Sequence, residues 1–259
     1  MKAMLELVKQ HPRYGYRRIT RLLRRDGWDV NPKRIYRLWR REGLRVPQKQ
    51  RKRRRLGSSV NGVVRRRADR PNHVWCYDFV KDQSTDGRPL KFLPIEDEFT
   101  RECLALEVDR SIKAADVIDV LKFLFEVRGA PEFIRSDNGP EFIAHAIRRW
   151  LSDSKVATLY IEPGAPWENA YIESFNSRFR DELLDRELFT SLPEAKYLAE
   201  EYRLEYNHRR PHSSLDYLTP AAFAATRAED TPLRLTALAC APCPQHALEH
   251  QPTLTPAGT

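Results

Sequence analysis

The first 46 residues carry two short hydrophobic patterns with the three-to-four spacing of amphipathic helices. The two sets of apolar positions are Ile19, Leu22 and Leu23, and then Ile35, Leu38 and Trp39. Asp26-Gly27 is a typical end for the first helix. Asn31-Pro32 is a typical start for the second, because Asn caps free N–H groups and Pro fits the first turn. Gly43 is predicted to end that helix, so the pattern predicts two helices joined by a short turn.

The second predicted helix is strongly basic outside its apolar stripe. Lys33, Arg34 and Arg37 lie on its polar faces, and positive side chains on an exposed helix suit the phosphates of DNA. This arrangement favours a DNA-binding helix-turn-helix domain over residues 1–46. A helical hairpin with a solvated basic face is the alternative interpretation.

Residues 47–70 form a densely basic segment with little apolar content. Like charges at this density repel one another, so the segment is predicted to be an extended basic linker. Arg53 and Arg54 are candidate DNA contacts within it, since contacts to phosphates need no base-reading geometry. A solvated tether that does not touch DNA is the alternative.

After position 72 the pattern changes to aromatic and β-branched residues, which are typical of strands. Predicted strands cover residues 73–80, 91–95, 103–108, 132–136 and 156–161, and predicted helices cover 114–128, 142–151 and 169–184. Asp86-Gly87 is a turn signal between the first two strands. Three strands followed by alternating helices and strands predict an α/β fold, with a mixed five-stranded sheet flanked by helices.

These patterns divide the rest of the chain into three parts: a core over residues 71–190, a C-terminal helical extension over 191–225, and a tail over 226–259. The tail is rich in Pro and Ala, and we expect it to be poorly ordered. It nevertheless holds zinc-ligand types at tight spacing, namely Cys240, Cys243, His246 and His250. A tail without metal is the favoured interpretation, because the gaps are shorter than in usual zinc fingers.

Composition narrows the class of protein. Hydrophobic residues make up 41% of the chain and charged residues 31%, so most of it is predicted to fold. No apolar run is long enough for a transmembrane helix, and the first residues lack the apolar core of a signal peptide. Four cysteines are too few for a disulfide framework. We therefore expect a cytoplasmic protein without membrane contact.

Charge is distributed very unevenly along the chain. The formal net charge is +9, yet residues 1–70 hold 24 basic against 5 acidic side chains, and the remainder is net acidic. A basic front joined to an acidic rear indicates a polyanion-binding module attached to a second activity. A ribosomal or chromatin-type basic protein is the alternative, but it does not explain the acidic majority of the chain.

Three of the acids occupy unusual positions. Asp78 lies within an otherwise uncharged strand, where an unpaired charge is costly. Asp137 follows a short apolar strand and precedes a helix, a place where α/β sheets often hold ligands. Glu173 lies on the polar stripe of a two-faced helix. Taken singly, Asp137 also fits an ordinary turn and Glu173 a solvated helix acid.

The combination is more specific, because 35 residues separate Asp137 from Glu173 and Asp78 precedes both on a strand. With Asp137-Asn138-Gly139 and the 169–175 segment, the chain resembles the DD(35)E core of retroviral integrases and bacterial transposases. Further segments resemble the OrfB part of the IS-three family of insertion-sequence transposases, namely residues 14–19, 30–35, 75–79, 99–105 and 206–215. The resemblance covers residues 12–224.

The resemblance implies an RNase H-like fold with Asp78, Asp137 and Glu173 as the catalytic triad and as ligands of two Mg²⁺ or Mn²⁺ ions. Arg180 matches the basic residue that follows the Glu in the family pattern, and it is a candidate DNA contact. The implied activity is cleavage of the element ends and joining of the freed 3′-OH to target DNA. The implied partners are the terminal inverted repeats, target DNA, further copies of the chain and the first-frame OrfA product. The implied location is the bacterial nucleoid.

Two rival functions remain open on the sequence alone. One is a DNA-binding accessory protein or repressor that has lost catalysis, and the other is an RNase H-type nuclease acting on RNA–DNA hybrids. Asp97 and Glu98 form an alternative acidic pair that lacks the spacing to a helix Glu, so we interpret it as structural or as a support for the metal-binding acids. Arg209 and Arg210 lie in a compact basic cluster after a helix and are further candidate DNA contacts, and a helix cap is the alternative interpretation.

Overall fold

The computed structural model describes residues 1–46, 67–136, 141–160 and 170–228. Several predicted features lie outside these ranges: Arg53 and Arg54 of the basic linker, Asp137, and the four zinc-ligand types of the tail. None of the helices within the described ranges combines the length and apolar character that a membrane span requires.

The head contains three helices rather than the two that were predicted. α1 (Lys2–Gln10), α2 (Tyr16–Arg25) and α3 (Pro32–Arg41) enclose a small core of their own. Its buried side chains are Met4, Leu7, Tyr14, Ile19, Leu22, Leu23, Ile35 and Trp39. The predicted caps are confirmed, since Asn31 Oδ1 accepts the Lys33 N–H at 2.8 Å and Gly27 adopts a φ of 87°. α1 completes this core because two helices alone would leave the apolar stripes half covered.

The strands are β1 (Val74–Tyr77), β2 (Val80–Gln83), β3 (Pro89–Asp97), β4 (Cys103–Asp109), β5 (Phe133–Ser136) and β6 (Ala157–Tyr160). β1 and β2 pair with β3 in one unbroken antiparallel register, from Trp75↔Asp97 to Gln83↔Pro89. They therefore occupy a single strand position in the sheet, interrupted at Asp78 and Phe79. The six described strands thus fill five positions across the sheet, in the order β4, β3, β1/β2, β5, β6. β5 is parallel to β1, and β6 is parallel to β5.

The interruption corrects the prediction that Asp78 lies inside a continuous strand. In the shared register Asp78 would face Pro94, which has no backbone N–H to donate to a ladder. The Asp78 side chain instead accepts the N–H of Phe79 at 2.7 Å. Asp78 therefore lies at the carboxyl end of β1, where its carboxylate is only partly buried.

Helices cover both faces of the sheet. α4 (Ala114–Arg128) and α5 (Glu141–Asp153) pack on one face, where Val117, Leu121 and Ile147 meet Trp75 and Ile95. α6 (Ala170–Phe179) and α7 (Leu192–His208) pack on the other. The buried side chains on that second face include Phe92, Ile172, Phe175, Phe179, Ala195, Ala199, Tyr202 and Tyr206. This mixed sheet between two helical layers confirms the predicted α/β class.

Two ends differ from the predicted elements. The helix predicted over 169–184 is α-helical only to Phe179, and it widens into a π-helical turn over Arg180–Leu184. The predicted tail begins inside α8 (Pro220–Ala228), which follows a 3-10 turn at Ser213–Leu215.

Candidate active site

Among the described residues, two donors contact the first candidate acid, Asp78, at the end of β1. One donor is the backbone N–H of Phe79, which contacts Oδ1. The other is the side-chain amide of Asn176, whose Nδ2 lies 2.8 Å from Asp78 Oδ2. The carboxylate is therefore fixed in orientation while it remains partly open to solvent.

The second described acid, Glu173, lies in the first turn of α6 and is exposed. Ile172, Phe175 and Phe179 anchor the helix by burying one face against β3 and α7. Residues three apart share a helix face, so Asn176 lies one turn below Glu173 on the side that meets Asp78. The Asn176–Asp78 hydrogen bond thus ties the helix of the third predicted acid to the strand of the first.

The predicted middle acid, Asp137, follows the last residue of β5 and lies outside the described residues. The strand that precedes it, β5, is held in place by a buried ion pair. Arg135, two residues earlier, donates from Nε to Glu98 Oε1 at 2.7 Å, and both side chains are buried. The β1–β5 register pairs Cys76 with Arg135, so Asp78 and Asp137 each lie two residues beyond the same rung.

Asp97 and Glu98 are structural acids, as predicted, and they support this end of the sheet. Asp97 accepts backbone N–H groups from Asn72, Phe99 and Thr100 at 2.8–3.0 Å and shapes the β3–β4 turn. Burial raises the pKa of Asp97, and these three hydrogen bonds act in the opposite direction. Glu98 accepts the hydrogen bond from Arg135 and so holds β5 against the β3–β4 turn.

The buried carboxyl of Glu96 was not predicted from the sequence pattern. It lies at 1% exposure on β3, in line with Cys76 on β1 and Cys103 on β4. Its Oε1 accepts a long hydrogen bond of 3.4 Å from the Tyr206 hydroxyl, and Oε2 has no hydrogen-bond partner within the described residues. Burial raises the pKa of Glu96 to about 8. This carboxyl is therefore mostly protonated at neutral pH and belongs to the core.

Chemically, the described part of the site offers hard carboxylate oxygens at the end of a parallel strand pair. Such oxygens are the ligands that Mg²⁺ and Mn²⁺ prefer. Within the described residues, acids, histidines and cysteines form no group of three that could hold a metal ion. Asp78 and Glu173 supply donors of the right type, and the predicted third donor, Asp137, belongs to a segment outside the described ranges.

Comparison with known proteins identifies the family. Two models described as integrase core domain match residues 68–166 and 154–220, and a model described as HTH-like domain matches residues 1–53. A protein of insertion element IS407 from Burkholderia multivorans is 41% identical over 222 residues, which cover 86% of this chain and 79% of that protein. The chain belongs to the IS-three family of OrfB transposases. It is a DDE-type transposase/integrase with an RNase H-like core.

Other relatives agree with this assignment. A protein of insertion element IS476 from Xanthomonas euvesicatoria is also 41% identical, over 86% of the transposase chain and 63% of that protein. The transposase InsD of insertion element IS2D from Escherichia coli is 28% identical over 86% of the chain and 77% of that protein.

The fold is shared with a chain of a solved integrase assembly. The simian T-cell lymphotropic virus intasome, in complex with a PP2A regulatory subunit, contains a chain with a TM-score of 0.50 and 16% identity, covering 98% of the transposase and 80% of that chain.

Most predicted DNA contacts of the transposase that lie in the described ranges are exposed. These are Lys33, Arg34 and Arg37 on α3, Arg180 at the start of the π-helical turn, and Arg209 after α7. Arg210 is the exception, since it is only 2% exposed. Its guanidinium donates to both carboxylate oxygens of Glu182, at 2.7 and 2.6 Å. The prediction that Arg210 contacts DNA is therefore wrong for this structure, because its donors are used inside the protein.

The segment around Arg210 serves as a brace. Asn207 accepts the Cys103 N–H at 2.9 Å and donates to the Cys103 carbonyl at 2.8 Å, so its amide extends the edge of β4. His212 packs edge-on against Tyr206, with ring centroids 4.7 Å apart. Burial, assisted by Arg210, lowers the pKa of His212. These side chains fix α7 against the sheet.

Proposed function

We propose that this transposase cleaves the ends of an insertion element and joins the freed 3′-OH to target DNA, using Asp78, Asp137 and Glu173 as its catalytic acids. The observation that carries the proposal is the Asn176–Asp78 hydrogen bond. It links the strand of the first acid to the helix of the third, while the shared rung of β1 and β5 leads toward the second. The family supports the general transposase role.

The proposed reaction has two steps at one site. Water attacks the phosphodiester at the element end, the P–O bond to the 3′ oxygen breaks, and a 3′-OH is released. That hydroxyl then attacks a phosphodiester of the target, one new P–O bond forms, and the displaced 3′ oxygen leaves as a hydroxyl. One phosphodiester is broken and one is formed in the second step, so no covalent protein–DNA intermediate is required.

The acids would hold two Mg²⁺ or Mn²⁺ ions, and such ions would activate the attacking oxygen and stabilise the leaving oxygen. The protein supplies the rest of the site. The Phe79 N–H and Asn176 hold the Asp78 carboxylate in one orientation, and the Arg135–Glu98 pair fixes the strand that precedes Asp137. Arg180 presents a cation on the helix of Glu173, where it suits a phosphate.

We further propose that each part of the chain has a separate role. Residues 1–46 bind the terminal inverted repeat, 47–70 follow the phosphates through Arg53 and Arg54, 71–190 carry the chemistry, and 191–225 brace the core. Joining two ends requires at least two copies, and the OrfA product is a second candidate partner. Because the proposed substrate is DNA, we expect the protein to act at the bacterial nucleoid.

The test is an assay of the whole chain with Mg²⁺ on labelled DNA carrying the candidate element end, repeated on a supercoiled plasmid with and without the inverted repeats. We expect end-specific nicking followed by strand transfer. Binding without cleavage would favour the accessory or repressor function instead. Cleavage of an RNA–DNA hybrid without end specificity would favour an RNase H-type nuclease.

A further inference from the structure

The π-helical turn after α6, the helix that carries Glu173, contacts a buried arginine, Arg210. The π-helical turn that continues α6 carries Glu182, and this carboxylate receives the bidentate contact from Arg210. The Glu182 side chain is itself only 12% exposed. The third nitrogen of the guanidinium, Nη1, lies 3.2 Å from His212 Nε2. A buried ion pair of this kind tolerates little displacement, because separation would leave a charge without a partner.

The head domain covers this ion pair. Tyr14, in the turn between α1 and α2, is buried, and the Arg210 Cζ atom lies 5.7 Å from its ring centroid. On the head side, the Tyr14 ring stacks on His11 with centroids 4.5 Å apart, and Arg18 lies 5.2 Å from the same ring. The head therefore inserts one aromatic side chain over the Glu182–Arg210 pair.

Weaker contacts surround Tyr14 and fix the orientation of the head. Arg25 of α2 donates to the carbonyl of Arg209 at 3.1 Å and approaches that of His208 at 3.4 Å. These carbonyls end α7, where a cation is favoured by the helix dipole. His11 Nδ1 lies 3.3 Å from Glu205 Oε1, and Arg21 lies over the ring of Tyr217. All of these contacts come from α1, α2 and the turn between them, and they leave the basic side chains of α3 exposed.

We infer that the head–core interface, built from Tyr14, Arg25, Glu182 and Arg210, is a positioning device that holds the DNA-reading helix α3 at a fixed distance from the catalytic acids. This inference rests on the proposed function and deepens it. Its consequence is that the distance along the DNA between the bound repeat and the cleaved phosphate is set within a single chain. Glu182 and Arg210 act through the head and through α6, so they are positioning residues.

Cleavage mapping tests the coupling. Arg25→Glu places a carboxylate against the carbonyls of His208 and Arg209, Arg25→Ala removes the contact, and Arg25→Lys keeps a donor. Arg24→Ala is the matched control, because Arg24 is also exposed on α2 and donates to Val30 within the head. With DNA saturating, we expect Arg25→Glu to lower the rate at the main cleavage site by about tenfold to a hundredfold and to spread cleavage over neighbouring phosphates. Arg25→Lys and Arg24→Ala should keep one site.

A distance measurement tests the same inference without cleavage. Spin labels are placed at Tyr36→Cys on α3 and Phe123→Cys on α4, both exposed positions. Cys240 and Cys243 are changed to Ser, and Cys76 and Cys103 are buried. Pulsed EPR should give one narrow distance distribution, which Arg25→Glu broadens.

The outcomes separate the two claims. If the unaltered chain does not cut DNA, the proposed function fails, and the EPR distribution alone decides whether the head is fixed. A broad distribution in the chain with Arg25 intact overturns the inference. So does a broadened Arg25→Glu variant that still cuts at the original phosphate at an unchanged rate. A variant that keeps both the narrow distribution and the cleavage site also overturns the role given to Arg25.

Discussion

Asn176 donates a hydrogen bond from Nδ2 to Asp78 Oδ2 over 2.8 Å. This single contact crosses from α6 to the end of β1 and joins two parts of the proposed site that lie 98 residues apart in the chain. The other amide atom, Oδ1, is buried without a hydrogen-bond partner in the described part of the protein. The amide is therefore oriented by its bond to the carboxylate.

The first prediction concerns this amide. Asn176→Ala should lower kcat for end cleavage by about tenfold, because a hydrogen bond to a charged group contributes about 1.5–3 kcal/mol. The DNA affinity should stay the same, since the contact is internal. Single-turnover cleavage and fluorescence anisotropy measure the two quantities. Gln83→Ala, which removes an exposed amide on β2, is the control; equal rates for both variants would contradict the proposed role.

The second prediction concerns the acids. Asp78→Asn and Glu173→Gln should each reduce strand cleavage at least about a hundredfold, because each removes a charged metal donor. Binding of the element end should persist. Glu187→Gln is an isosteric control at an exposed acid beyond the π-helical turn. Cleavage at the original rate by either acid variant would remove that residue from the triad.

The third prediction uses two neighbouring arginines. Arg210→Met leaves the buried Glu182 without its partner and should destabilise the fold by about 3–5 kcal/mol. Arg209→Ala removes only an exposed side chain and should change the free energy of unfolding by less than about 0.5 kcal/mol. Urea unfolding followed by circular dichroism measures both. Similar losses of stability in the two variants would mean that the buried ion pair is not a main contact.

The fourth prediction concerns pH. Because the folded-state pKa of Glu96 is raised from 4.5 to about 8, the folded protein keeps a proton that the unfolded chain releases above pH 4.5. The stabilising effect of this protonated carboxyl is complete below pH 4.5 and decreases as pH rises toward 8. Glu96→Gln should therefore gain Tm relative to the unaltered protein as pH rises from 5 to 8. A Tm difference that is constant over this range would contradict the assignment.

The fifth prediction concerns DNA recognition. Arg34→Ala and Arg37→Ala on the exposed face of α3 should each weaken binding to the terminal repeat. Each variant that removes a cation from a DNA phosphate should also reduce the slope of log affinity against log salt by about one. Anisotropy titrations at several salt concentrations give the slope. Leu44→Ala is the control for a general loss of stability in the head, because Leu44 packs against the core of the head. This variant should lower Tm without changing the salt slope.

Local signals in the chain were sufficient to predict most elements and their order. The helix over Ala114–Arg128 has its predicted bounds, and the Asn31-Pro32 start of α3 is confirmed, because caps and apolar spacing depend only on nearby residues. The family motif likewise points to Asp78 and Glu173 from the residue types and their spacing. Neither of these conclusions requires knowledge of which distant segments meet.

Long-range packing, by contrast, assigns different roles to side chains of the same type. Arg209 and Arg210 are neighbours in one basic cluster, yet only Arg210 is enclosed, because Tyr14 and Glu182 arrive from segments far away in the chain. Likewise residues 96–98 are three adjacent acids with different roles. Glu96 is a buried carboxyl with a raised pKa, Asp97 accepts hydrogen bonds in a turn, and Glu98 pairs with Arg135. Local pattern indicates the residue type and its face, but the electrostatic role of a charged group depends on solvent exclusion and on partners that only the folded chain brings together.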